Sequence, residues 1–165
     1  MDIDSSKKRP DLAVMYLKKL STNGSEKMNE NESQEIRIEE ILGEGNLNVS
    51  YESLELYRSY LQKNLSFPCD LTGREDFLWE ELYVFGPGDK NEYAELKKTK
   101  PSYTDTYTFM SFDDQVDDKD GLMIKVKRLS DHIQFVLPLA DLKVIDNTSR
   151  NHQLVHDYAV WFVNY

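Results

Sequence analysis

The chain has 165 residues, enough for one domain with a real core and a tail. Lys and Arg total 20 against 30 Asp and Glu, a net charge of −10. That balance argues against a nucleic-acid binder and against docking on an anionic membrane, since both rely on clustered cations, and it favours cations or basic partners.

The single cysteine, Cys69, excludes an intrachain disulfide and a cysteine-based zinc site, and its Phe67-Pro68 neighbourhood points to a small buried hydrophobe. No stretch approaches the ~18 apolar residues of a membrane span, and the first residues lack the apolar segment of a signal peptide. The expected location is the cytoplasm.

Residues 1–46 differ from the rest. Residues 11–20 carry the apolar spacing of a short amphipathic helix. Residues 21–35 are polar, with too little to bury to offset the entropy of ordering, and read as a flexible linker. A brief element at residues 36–42 precedes Gly43 and Gly45. The segment 1–46 is therefore expected to be a flexible or partly helical N-terminal extension, and 47–165 the compact α+β domain.

Within that domain, Ser50 is an N-cap, and Leu54, Tyr57, Leu61 and Leu65 form a helical stripe closed by Pro68. From Asp70 the pattern shifts to short β segments. Residues 77–85, 93–98 and 105–112 read as strands, as do the alternations Leu122, Ile124, Val126 and Ile133, Phe135, Leu137. Pro138 to Leu142 reads as one helical turn before a short strand at 143–145. Leu154, Val155, Tyr158, Ala159, Trp161 and Phe162 have helical spacing. The expected fold is α+β: a small, strongly bent antiparallel β-barrel of SH3-like type, with an N-terminal and a C-terminal helix packed on it.

The densest charge is Asp113-Asp114-Gln115-Val116-Asp117-Asp118-Lys119-Asp120-Gly121, between two apolar alternations. Carboxylates this close repel, and either water or a cation must relieve them. Aligning Gly121 with the EF-hand glycine puts Val116 and Lys127 at the end ligand positions, so this is no EF-hand. A looser calcium site and a solvated hairpin tip both remain consistent with the residues. A second acidic group is Asp70, Glu75, Asp76, Glu80 and Glu81. Glu80 and Glu81 sit in an aromatic run, where a carboxylate needs a partner or a metal, and rim pairing with Arg74 or a lysine suits Glu81. His152 and His156 have i, i+4 spacing but lack the catalytic Glu of a zinc-protease motif. Gly86-Pro87-Gly88 lacks the phosphate-loop lysine, there is no GxSxG, and no enzyme signature is present.

Five ordered segments carry a resemblance: Tyr60-Leu61-Gln62-Lys63-Asn64-Leu65-Ser66-Phe67-Pro68-Cys69; Glu75-Asp76-Phe77-Leu78-Trp79-Glu80-Glu81; Glu92-Tyr93-Ala94-Glu95-Leu96; Phe135-Val136-Leu137-Pro138-Leu139-Ala140-Asp141-Leu142; and Asp157-Tyr158-Ala159-Val160-Trp161-Phe162-Val163-Asn164. Together they resemble the cyanobacterial CcbP-like family of calcium-binding proteins over roughly residues 50–165. The resemblance implies a small acidic cytoplasmic protein of calcium signalling, a buffer or sensor that binds Ca²⁺ without EF-hands. It implies metal ligands among Glu75, Asp76 and Glu80 and among Asp113, Asp114, Asp117, Asp118 and Asp120. The partners it implies are calcium ions and a regulatory protein of unspecified kind, with no nucleic acid and no membrane. The alternative from the residues alone is a small-barrel interaction module whose acidic surface recognises a basic or peptide partner.

Overall fold

The computed structural model describes residues 29–165; the helix expected at 11–20 and the polar stretch 21–28 lie outside the described residues. The first described element is α1, Glu30–Leu42, capped by the Asn29 side chain. Helix α2, Tyr51–Asn64, begins at the expected Ser50. There a reciprocal capping box forms: the Ser53 amide donates to Ser50 Oγ at 3.1 Å, and the Ser50 amide donates to Ser53 Oγ at 2.8 Å. Then come β1 (Asp70–Gly73), a 3-10 turn (Leu78–Glu80), α3 (Glu81–Val84), α4 (Lys90–Leu96), β2 (Tyr107–Asp117), β3 (Gly121–Arg128), β4 (Gln134–Pro138), a 3-10 turn (Leu139–Asp141), β5 (Leu142–Val144) and α5 (Arg150–Asn164).

The five strands form one antiparallel sheet in the order β4-β3-β2-β1-β5. Its edge strands, β4 and β5, do not pair with each other, so the sheet is open and the expected barrel closure is absent. The α+β class holds. The helices cover the sheet: α2 packs across β2 and β3, α5 across β5 and the Leu139–Asp141 turn, and α1 against both helices. The core between these layers holds Leu71, Tyr107, Ile124 and Leu142 from the sheet. From the helices it takes Leu54, Tyr57, Leu61, Val155, Tyr158 and Trp161. The Tyr57 ring stacks on Trp161 at 5.0 Å and meets Tyr158 edge-on at 5.2 Å.

Three expectations change. Residues 30–35 begin a helix rather than a linker, and α1 buries Ile38 and Leu42 in the same core as α2 and α5. Helix α1 lies within the extension expected to be partly helical, and a polar helix needs only a narrow apolar stripe once an ion pair holds it. Arg37 supplies such a pair, donating to both Asp157 oxygens at 2.7 and 2.9 Å while Gln34 adds a third bond at 2.9 Å. Second, residues 77–85 are a 3-10 turn and a short helix instead of a strand, since a run apolar on both faces fits either structure. Third, residues 93–98 begin inside helix α4, which Asp89 caps by accepting from the Asn91 and Glu92 amides at 2.9 Å each. The predicted strands along β2 to β5 and the C-terminal helix are present.

Arg128, 2% exposed, pins the connection between α4 and β2. Its guanidinium donates to the carbonyls of Lys97, Lys98 and Lys100 and to Asp105 and Asp131.

The α1 clamp is testable. Arg37→Ala strips the bidentate partner from a carboxylate that is only 4% exposed. Urea unfolding should then show a loss of about 3 kcal/mol, with Asp157→Asn costing less because a neutral amide needs no counter-charge. Unchanged stability of Arg37→Ala would rule out the clamp.

Candidate functional site

The loop after β1 is organised by Glu80, which is fully buried. Oε2 accepts from the backbone amides of Phe77 at 3.2 Å and Tyr103 at 2.9 Å. Oε1 accepts from the Tyr93 hydroxyl at 2.8 Å and from Ser102 Oγ. Four donors from three segments thus occupy one carboxylate, which is how a charge is kept inside a core. Burial and the Glu80 charge in turn push the Tyr93 phenol up to about 12. Around this centre Tyr93 stacks on Tyr83 at 5.2 Å, and the Trp79 indole donates to the Pro101 carbonyl at 2.7 Å. Glu80 therefore faces inward and holds the loop together, whereas Glu75 and Asp76 on the same loop face outward.

Glu75 and Asp76 line a cleft of about 650 Å³ between this loop, the Leu139–Asp141 turn and the last turns of α5. Two acids outside the ligand set that the resemblance implies, Glu81 and Asp141, line it as well. The Arg74 amide donates to the Asp141 carbonyl at 2.8 Å, which ties the start of the loop to the 3-10 turn. Nothing in local spacing links residues 74 and 141; the link exists because β1 pairs with β5, which follows that turn directly. Burial raises the Asp141 carboxyl above the usual carboxylate range, and the charge of Asp120 raises it further. Asp120 is thus the acid of the 113–120 stretch whose charge is felt at Asp141, although it does not itself line the cleft.

The remaining acids of that stretch fan out. Strand β2 runs on to Asp117, so the turn proper is Asp118 to Asp120 rather than the whole segment. An irregularity between Phe112 and Val116 lets Asp113 and Asp114 leave the regular ladder. Asp113 lies 3.7 Å from Lys125 of β3, and Asp114 lies 3.6 Å from Arg58 of α2. Asp117 accepts from the Lys119 amide at 2.8 Å inside the turn, and Asp118 is exposed. Gly121 closes the turn at φ +70; a side chain there would run into the Tyr158 hydroxyl and the Phe162 ring, which presses the turn onto α5 beside the cleft. The Tyr158 hydroxyl accepts from the Leu122 amide at 2.8 Å.

Among the described residues, no three His, Cys, Asp or Glu side chains are gathered closely enough to hold a metal ion as they stand. His152 and His156 stack on each other, and Nδ1 of His156 lies 3.1 Å from the Arg74 guanidinium. Burial and that cation lower the His156 pKa, so the pair is a neighbour of Arg74 rather than a ligand set. Cys69 is buried, and its thiol pKa is raised by that burial. No helix among the described residues is long and apolar enough to cross a membrane.

The architecture is that of an α+β protein whose open antiparallel sheet is covered by helices, with an acidic cleft where the sheet edge meets the last helix. Two solved structures share the fold. Anabaena CcbP aligns over 82% of this chain and 93% of its own, at 18% identity and a TM-score of 0.53. A calcium-binding protein in its calcium-binding form aligns over 81% and 92%, at 19% identity and a TM-score of 0.52. The chain has the CcbP-like fold. No protein-family model matches the sequence, and no curated protein matches it significantly.

Two outcomes follow from the site geometry. Glu80→Gln would point an amide NH₂ at donors that need an acceptor; a stability loss of about 2–3 kcal/mol is expected by denaturant unfolding, and parent-like stability would contradict the four-donor arrangement. Asp141 behaves oppositely. Its folded pKa is raised, so its contribution to stability is complete below the unfolded carboxylate pKa and falls as pH rises through the folded value. Asp141→Asn in chelator should therefore melt above the parent at neutral pH, with the gain fading as pH drops toward about 4. A gain independent of pH would refute this origin.

Proposed function

We propose that the protein is a non-EF-hand calcium binder, acting as a buffer or sensor, and that its cation sits in the acidic cleft. The observation that carries the reading is one cleft lined by acids from two distant segments, Glu75, Asp76 and Glu81 after β1 and Asp141 after β4, with the charge of Asp120 on the β2–β3 turn felt at Asp141. These are hard oxygen donors carried on loops and turns, the donor set that calcium takes in loose geometry. Mutual repulsion opposes their approach without a cation, and neutralising it is the chemistry that bound Ca²⁺ would supply. The shared fold with two calcium-binding structures supports the same reading.

The ligands proposed are Glu75, Asp76, Asp120 and Asp141, with Glu81 at the rim. Glu80 contributes indirectly by fixing the loop that carries Glu75 and Asp76. Asp113 and Asp114 stand beside Lys125 and Arg58, while Asp117 and Asp118 add negative field at the turn without entering the cleft. Drawing the four acids together costs repulsion and loop ordering, so affinity is set by how much of that closure the ion must drive.

Calcium titration by calorimetry in physiological salt with excess Mg²⁺ tests the proposal. Heat of binding and a rise in melting temperature are expected. The Asp120→Asn/Asp141→Asn pair should weaken binding at least about tenfold, on the order of 1.4 kcal/mol. The Asp117→Asn/Asp118→Asn pair should weaken it less and stabilise the metal-free protein. No heat and no melting shift at millimolar calcium would sink the proposal.

A further inference from the structure

The same cleft has an apolar side that cation binding does not use. Leu78 is 87% exposed, Phe85 78% and Val163 74%, and all three line it, alongside Glu75, Asp76 and Glu81. Large apolar side chains left in water together, with acids among them, mark a surface built to be covered by something apolar and basic. We infer that the occupant is the chain's own N-terminal segment, residues 7–20, docked in cis.

Three observations single out this segment. Within a chain of net charge −10, it holds Lys7, Lys8, Arg9, Lys18 and Lys19 against one acid, Asp11. Between those cations, Leu12, Met15, Tyr16 and Leu20 recur at i, i+3, i+4 and i+8, the anchor spacing of a helix laid in a groove. The place where the described chain begins is also adjacent to the cleft. The first turns of α1 share a groove, lined by Asn31, Gln34 and Ile38, with Val160 and Asn164 of α5, and those two residues also line the cleft. The nine residues 21–29 can span at most about 30 Å, enough to return the segment over α5 yet short enough to keep it at high effective concentration. Cations at both ends of the segment complement the acids of the cleft, and its apolar face matches Leu78, Phe85 and Val163. The inference stands whether or not the cleft takes calcium, because it rests on the exposed apolar side chains and on the segment's charge.

The test uses the full-length protein in chelator, with Tyr16 replaced by the photo-reactive p-benzoylphenylalanine. Irradiation should give a cross-link within one chain, independent of protein concentration, and mass spectrometry should map it to peptides containing Leu78, Phe85 or Val163. Lys18→Glu/Lys19→Glu in the same background should lower the yield roughly fivefold through lost charge complementarity. As a second readout, the amide NMR shifts of Leu78, Phe85 and Val163 should move in full-length Leu12→Asp/Tyr16→Asp. Cross-links only between chains, cross-links to other faces, no cross-link, or unmoved amide shifts would each overturn the proposal.

Discussion

One buried carboxylate holds the cleft-bearing end of this molecule together. Glu80 is closed off from water, and its two oxygens take donors from Phe77, Tyr93, Ser102 and Tyr103. An unpaired carboxylate in that position would be too costly to keep, so the three segments must stay assembled around it. The turn carrying Glu75 and Asp76, helix α4 and the 101–105 connection are thereby locked to one another. Arg128 does the same from the other side, gathering the carbonyls of Lys97, Lys98 and Lys100 with Asp105 and Asp131. Between them, two buried charges of opposite sign organise a region that has little regular structure of its own.

The acids of this chain consequently divide into two kinds. Glu80, Asp105, Asp131 and Asp157 are consumed by structure, each facing a cation or several donors. Glu75, Asp76, Glu81 and Asp141 line one cleft, and the Asp141 carboxyl is raised by burial and then by the charge of Asp120 from the neighbouring turn. Net charge does not distinguish the two kinds, because an acid that caps an internal network and an acid that waits for a cation count equally. The proposed calcium site draws on the second kind alone, with the first kind supplying the rigidity that brings loops from distant parts of the chain to one place.

The apolar side of the cleft gives that place a second property. Acids beside Leu78, Phe85 and Val163 suit a basic amphipathic segment as well as an ion, and the two occupants would use overlapping carboxylates. A fold that presents both on one surface can connect an ion to a protein contact without any large rearrangement, since the connection needs only competition for the same charges.

The amino-acid sequence by itself determined the helices at Tyr51–Asn64 and Arg150–Asn164, the alternating strands β2 to β5, and the concentration of acids at 113–120 and 75–81. These follow from local periodicity and capping, which nearest neighbours enforce. It also carried the resemblance that the shared CcbP-like fold bears out. Only the tertiary structure decided that residues 77–85 are helical, because a run apolar on both faces suits either structure until Glu80 finds its donors. Only it showed that the sheet stays open, and that α1 belongs to the core through the Arg37–Asp157 pair. The cleft itself belongs to this second group. Asp141 and Glu75 are far apart in the chain, and the pairing of β1 with β5 brings them together, a long-range register that no local pattern encodes.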